Sequence, residues 1–212
     1  MKIVSTNIGE RKTVDWKGKS LETGIYKYPT EKAIFLGKSD VLDDHVIDRK
    51  YHGGIDKACY AYSLDHYNFW KSLYPEVDMT YGAFGENLTI ENLAESQLRI
   101  GDQLKIGTDV IVEISQPRQP CMKLGIRFND QRVVKRFVKE PFSGIYLRVL
   151  NEGWVKTDDQ VTVLNICKNN LTVKEVHMLL GGNRNEDLAR KAILMPELAS
   201  SCREDLIRIY GL

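Results

Sequence analysis

Over the first 166 residues, apolar and polar positions alternate in short runs, the period of half-buried β-strands. The clearest run is Val110-Ile111-Val112-Glu113-Ile114-Ser115, which is also rich in β-branched residues. Met1-Lys2-Ile3-Val4-Ser5-Thr6-Asn7 reads as a first strand. Ala58-Cys59-Tyr60-Ala61-Tyr62 and Gly144-Ile145-Tyr146-Leu147-Arg148-Val149-Leu150 read as two more. Residues 98–107 read as strand, turn, strand, and residues 154–163 echo them with an acidic turn before an alternating strand. The echo is too short to be a repeat architecture. Many short strands joined by Gly and Asp turns predict a mixed, β-rich fold with a barrel-like or sandwich-like sheet.

Two helices interrupt the strands. One starts near Ser63, a plausible N-cap, and stops before Pro75; the other starts at Asp130, carries Val133, Val134, Phe137 and Val138, and is closed by Pro141. After residue 166 the pattern changes to helical spacing. Thr172-Val173-Lys174-Glu175 is a capping box, Gly181-Gly182 ends its helix, and a second helix runs from about Asn185 to Leu194. Ser201-Cys202-Arg203-Glu204 predicts the cap of a third. The expected organisation is a β-rich domain over residues 1–166, with a small three-helix unit over residues 167–212 packed on it.

Composition narrows the function classes. The 212 residues carry 30 basic and 29 acidic side chains, without the basic excess that holds a protein to nucleic acid. A small, specific ligand is the better expectation. No apolar run approaches the roughly 18 residues of a membrane span. The first residues lack the apolar core of a signal peptide, so a cytoplasmic location is expected. The four cysteines, at 59, 121, 167 and 202, form no C-x-x-C pair. Zinc knuckles and thioredoxin-like motifs are therefore absent, and disulfides are not expected in a reducing compartment. Cys59, Cys167 and Cys202 sit in apolar strand or helix patterns and read as small hydrophobes.

Three segments could carry chemistry. In Asp48-Arg49-Lys50-Tyr51-His52-Gly53-Gly54-Ile55-Asp56-Lys57-Ala58, charged groups and a histidine surround a Gly-Gly turn. Glycines let backbone approach a ligand, and His52 could donate a hydrogen bond or move a proton. In Gly85-Glu86-Asn87-Leu88-Thr89, a turn enters a strand, and Asn87 can both donate and accept. Read alone, these two are a polar surface loop and a turn. The third is Gln116-Pro117-Arg118-Gln119-Pro120-Cys121-Met122-Lys123, directly after a strand. Its prolines hold the chain extended and fix the geometry of what it presents. Arg118 and Lys123 flank Cys121, and nearby cations favour thiolate, the nucleophilic and metal-binding form. A buried cysteine beside a stiff loop is the structural alternative.

Taken in order, His52-Gly53-Gly54 with Asp56-Lys57-Ala58, then Gly85-Glu86-Asn87-Leu88-Thr89, Ile100-Gly101-Asp102 and Gln116-Pro117-Arg118-Gln119-Pro120-Cys121 resemble the MOSC domain. That family is named for the C-terminal domain of molybdenum-cofactor sulfurase. The helical tail resembles the extra segment of its bacterial YiiM-like branch.

The resemblance implies a barrel-like β-domain and a pocket for a molybdenum-bound pterin, a cofactor that can be lost on purification. It implies Cys121 as molybdenum ligand or sulfur-carrying thiol. Lys57, Arg118 and Lys27 become partners for the anionic pterin, with Asn87, Gly53, Gly54 and Gln119 beside them. The implied activity is reduction of N-hydroxylated compounds such as N-hydroxylated purine bases, with His52 donating a proton and Asp48 orienting it. A carrier that holds sulfur or cofactor on a Cys121 persulfide is the alternative; a degenerate member that only binds a small ligand is a third reading.

The reductase reading calls for a separate electron-donor protein. The chain has no G-x-G-x-x-G after a strand, no ferredoxin-type cysteine spacing and no C-x-x-C-H. Arg184, Arg190, Lys191, Arg203 and Arg208 of the tail offer basic contacts for such a partner. The resemblance also leaves room for a homodimer.

Overall fold

The computed structural model describes residues 1–212, the side chain of Lys50 excepted. The chain opens with five strands, β1 (Lys2–Gly9), β2 (Lys12–Trp16), β3 (Lys19–Thr23), β4 (Lys27–Thr30) and β5 (Ile34–Leu36). Helix α1 (Arg49–His52) and the 3-10 turn Ile55–Lys57 precede β6 (Cys59–Ser63). A 3-10 turn at Leu64–His66 leads into α2 (Tyr67–Leu73), with the Ser63 hydroxyl accepting from the Asp65 amide as its cap. Next come β7 (Leu88–Glu91), β8 (Gln103–Ile106), β9 (Val110–Pro117), α3 (Met122–Arg127), α4 (Arg132–Lys139), β10 (Ile145–Asn151), β11 (Gly153–Val155) and β12 (Val161–Asn165). Helices α5 (Val173–Leu180), α6 (Glu186–Ile193) and α7 (Ser200–Tyr210) end the chain.

Eight strands form one sheet in the order β12-β8-β9-β10-β6-β7-β1-β4. Neighbours are antiparallel except β6 and β7, which run parallel. The sheet curls until its ends approach. The Ile3 amide donates to the Asp159 carbonyl at 3.0 Å, and the Val161 amide to the Met1 carbonyl at 2.9 Å. The result is barrel-like without a full closing ladder.

Strand β6 shows how sequence divides the interior. Side chains alternate across a strand. Cys59 and Ala61 therefore join an aliphatic core, while Tyr60 and Tyr62 join an aromatic one. Strand β10 repeats this, with Ile145 and Leu147 in the aliphatic core and Tyr146 in the aromatic one. The aliphatic core also takes Val173, Val176 and Leu179 of α5 and Leu206 of α7. The tail is thus packed on the sheet through one continuous apolar interior.

The strand readings around positions 110, 144 and 58 match β9, β10 and β6. Thr172 and Glu175 make both halves of a capping box, and the Asn185 side chain caps α6. Residues 98–102 are not a strand. The Asp102 carboxylate accepts from the Arg99 amide at 2.8 Å, and the Asp102 amide donates back to the Arg99 carbonyl, closing a turn. The third tail helix starts earlier than expected, at Ser200 after an Ala199 cap whose amide donates to the Ser115 carbonyl. Cys167 lies half-buried in the loop after β12 rather than in a strand or helix, its amide donating to Asp102. Cys59 and Cys202 are buried, and burial pushes both thiols up to about 12, as suits structural cysteines.

Candidate functional site

Segments far apart in sequence meet at one cleft. Strand β9 runs through Pro117, two residues further than the alternation suggested, and delivers Arg118 below the surface. Cys121 then starts the short helix α3, which sequence reading missed. Beside them lie the loop carrying Asp44 and His45, the His52–Lys57 segment and Tyr146 of β10. The cleft has about 620 Å³ of empty volume, part of it open to solvent.

Lys27, Asp48, His52, Lys57, Asn87, Arg118 and Cys121 all line this cleft. Gly53 and Gly54 do not. The Gly54 amide, with φ at +90°, is taken by the Ser39 carbonyl at 3.2 Å, so the Gly-Gly turn shapes the loop rather than meeting a ligand. Gln119 faces a neighbouring lobe that shares Cys121. Gly24 marks a close approach in the wall; a Cβ there would stand 1.6 Å from the His45 carbonyl oxygen.

Charge in the cleft is unevenly compensated. Lys27 Nζ meets Asp44 Oδ2 at 2.5 Å, both nearly buried. Asn87 Nδ2 donates to the same oxygen at 3.0 Å, and its Oδ1 accepts from the Tyr60 amide. Asn87 is thus committed to holding Asp44 and β6. Lys123 Nζ meets Asp48 Oδ2 at 2.5 Å. Lys57 donates to the Tyr51 carbonyl at 2.9 Å, and no carboxylate lies within ion-pair distance of it among the described residues. Burial pulls its ammonium below the usual lysine range.

Arg118 is the most exposed to this imbalance energetically, although only 4% of it is exposed to solvent. Its guanidinium carbon stands 5.4 Å from the Tyr60 ring centre and 5.2 Å from that of Phe137. Among the described residues its Nη1 has no hydrogen-bond partner and no carboxylate pairs with it. A buried cation without a counter-charge costs several kcal/mol, on the order of the penalty for breaking a buried ion pair. Such an arrangement calls for an anionic ligand.

The site's framework explains the motif residues that do not face the cleft. Arg148 of β10 holds Asp56 at 2.6 Å and also pairs with Glu113. The other Asp56 oxygen accepts from the Ser200 amide of α7. This pins the 3-10 turn that presents Lys57. Glu86 is buried and accepts from the Tyr67 and Thr89 hydroxyls and the Gly82 and Phe84 amides, which locks the turn that leads to Asn87.

The expected Asp48–His52 pair is not formed. Asp48 turns to Lys123, while His52 Nδ1 lies 3.4 Å from the Tyr146 hydroxyl. Burial, then Arg118, Lys57 and Lys123, push the His52 imidazole down to about 4. At neutral pH it is uncharged, able to accept a proton rather than holding one ready. An unfolded chain protonates this ring below its ordinary 6.5, whereas the folded one resists until about 4. The unfolded state therefore binds more protons in that window, so His52's contribution to stability is complete above it and is lost as pH falls through it. We expect His52→Gln to flatten the acid side of the stability profile. Denaturant midpoints at pH 7 and pH 4.5 check this, and equal losses in both proteins would contradict the burial assigned to the ring.

Sequence reading missed Asp44 and Tyr146. Strand alternation was enough to find Tyr146, since it places that residue opposite the core-facing Ile145 and Leu147. Nothing in the Asp43-Asp44-His45 segment marked Asp44. Among the described residues, no group of three or more His, Cys, Asp or Glu side chains is arranged to hold a metal ion. A metal at Cys121 must therefore arrive with other ligands.

The curled sheet and helical tail frame a cation-lined cleft around one half-buried thiol. The sequence profile of the MOSC domain matches residues 48–162, and the chain belongs to that family. It is 36% identical over 172 residues to uncharacterized protein YflK of Bacillus subtilis (strain 168), covering 81% of this chain and 77% of that one. A protein named reductase from Gibberella moniliformis (strain M3125 / FGSC 7600) is 36% identical over 150 residues, 69% of this chain but 26% of that much longer one. The crystal structure of YiiM from Geobacillus stearothermophilus superposes with a TM-score of 0.82 at 30% identity, covering 99% of this chain and 98% of that one. No helix of the structure is long and apolar enough to cross a membrane.

Proposed function

We propose that the Cys121 cleft holds a molybdenum–pterin cofactor and that the protein reduces N-hydroxylated compounds, N-hydroxylated purine bases among them. The buried Arg118, with no carboxylate partner and an Nη1 that no group accepts from among the described residues, carries this reading. The residues present fit an anionic group that brings its own metal ligands. Arg118 and Lys57 supply positive charge with no carboxylate in ion-pair contact among the described residues, and Cys121 supplies one soft thiolate ligand. The MOSC family is in general a molybdenum-cofactor-binding one, and the Gibberella relative's name supports a reductive role.

When bound, the cofactor supplies a two-electron redox centre. The overall reaction breaks an N–O bond, takes up two electrons and two protons, and releases water. His52, uncharged at neutral pH, and the Tyr146 hydroxyl beside it are the chain's groups for handling those protons. Asp48, tied to Lys123, holds α3 and the Cys121 loop against the α1 segment rather than acting on His52.

The two electrons come from a separate protein. A docking face on the helical tail is narrower than its basic residues suggested. Arg203 turns inward to the Met195 and Leu198 carbonyls, and Arg190 and Arg208 pair with Glu186 and Asp205. An anaerobic assay of cofactor-loaded protein with an N-hydroxylated purine tests the reading. A chemical electron donor should support turnover, and NADH or NADPH alone should not. Rapid turnover on NADPH would refute the need for a partner. Cyanide-labile sulfur on Cys121 without molybdenum would favour the persulfide carrier.

A further inference from the structure

Helix α7 has no cap of its own. Ala199 stands at its N-cap, where serine, threonine, asparagine or aspartate normally supplies an acceptor, and its first turn holds no acidic residue. The acceptor comes from 144 residues earlier: Asp56 Oδ2 accepts from the Ser200 amide at 3.2 Å. A carboxylate suits that place, because the free amides and the dipole of a helix start both favour an anion. Arg148 holds the same carboxylate from the other side. Its Nη2 and Nε both donate to Asp56 Oδ1, at 2.6 and 3.0 Å. It also donates to the Glu197 carbonyl, just ahead of α7, at 3.3 Å.

Asp56 is the middle residue of the 3-10 turn Ile55–Lys57, and its backbone is tied as well. Its carbonyl accepts from the Ser115 hydroxyl. The next residue is Lys57, whose amide donates to the Gly54 carbonyl at 2.9 Å and whose ammonium donates to the Tyr51 carbonyl. Both of those bonds stay within the one loop. Where the Lys57 ammonium stands in the cleft therefore follows from where Asp56 is held.

The start of α7 also holds the opposite wall. The Ala199 amide donates to the Ser115 carbonyl at 3.1 Å, and the Ser201 hydroxyl donates to Gln116 Oε1 at 3.4 Å. Ser115 and Gln116 end β9, directly before the loop that carries Arg118 and Cys121. One helix start thus joins the segment presenting Lys57 to the segment presenting Arg118 and Cys121. Groups fixed relative to one another before binding lose less freedom when a ligand arrives.

We propose that Asp56 is a positioning residue: clamped between Arg148 and the first turn of α7, it sets the place of the Lys57 ammonium, and the helical tail is thereby part of the cofactor site. The assignment rests on the cofactor reading above, which gives Lys57 an anion to hold. It gives the tail a role that neither packing nor a docking face requires.

Asp56→Asn is the test variant. It keeps the shape but exchanges one acceptor oxygen for an NH₂, which meets a donor whether it faces Arg148 or the Ser200 amide. Two readouts are taken per folded molecule. The first is amide hydrogen exchange, followed by NMR in cofactor-free protein. Exchange at Ser200 and at Lys57 should quicken together, by roughly tenfold, the scale of one lost hydrogen bond. The core amides of β9 and β10 should stay protected. Faster exchange at Ser200 with Lys57 unchanged would overturn the link between helix and turn.

The second readout is the rate at which loaded protein releases pterin, measured in a cycle with Lys57→Met. Each single variant should release it roughly tenfold faster, and the double variant no faster than Lys57→Met alone, since Asp56 acts only through Lys57. Asp56→Glu, which keeps both acceptor oxygens, should recover most of the loss. Additive effects, or an unchanged rate in Asp56→Asn, would leave Asp56 a residue of stability only. Failure of the cofactor reading shows differently, as an original protein with no pterin to release or a Lys57→Met variant that holds it equally well. The exchange result still decides in that event whether the tail positions Lys57.

Discussion

Cys121→Ser is expected to lose reductase turnover by a factor on the order of a thousand or more, the scale on which loss of one essential group acts. The fold should be untouched. Cys121 is half-buried at the start of a short helix, and its side chain makes no capping hydrogen bond. Serine keeps the size but is a poor ligand for a soft or higher-valent metal. Steady-state turnover with a chemical electron donor, alongside a thermal melt, checks both halves. Cys59 and Cys202 give the contrast. Both are buried, so replacement by alanine should lower the melting temperature and leave turnover per folded molecule unchanged. Full activity in the serine variant, with molybdenum still bound, would end the assignment of Cys121.

Arg118→Met should separate function from stability in opposite directions. Cofactor affinity is expected to fall roughly thirty- to a hundredfold, as a charge-assisted hydrogen bond worth about 2–3 kcal/mol is lost. The cofactor-free protein should be as stable as the original or more so. Replacing a buried unpaired charge by an apolar side chain of similar length is often neutral or stabilising by about 1–4 kcal/mol. Contacts of the guanidinium with Tyr60 and Phe137 offset part of that gain, each worth about 0.5–2 kcal/mol. Denaturant unfolding of the cofactor-free protein and pterin retention through gel filtration are the two measurements. A variant that unfolds readily but binds cofactor normally would make Arg118 a structural residue.

Much of this was legible in the sequence, for reasons that differ from element to element. Strand β9 declared itself because alternation and β-branching agree over its length. Helix α5 did so because Thr172 and Glu175 sit at the spacing a capping box requires. The turn at residues 98–102 imitates a strand because Leu98 and Ile100 are both buried while the backbone turns between them. Helix α3 was hidden by Pro117 and Pro120, which announce an extended segment and carry no signal for a helix starting at Met122.

At the site, residue types were easier to read than partnerships. Lys57, Arg118 and Cys121 stand out by chemistry and do line one cleft. That Asp48 belongs to Lys123, and Asp44 to Lys27, depends on loops crossing at distances that no local pattern encodes.

The central claim is that this cleft holds a molybdenum–pterin group. Metal analysis and released-pterin fluorescence, on protein freshly purified from a host that makes the cofactor, test it most directly. Molybdenum and pterin are expected in equal amounts, approaching one of each per chain. Protein with neither, even after incubation with free cofactor, would contradict it.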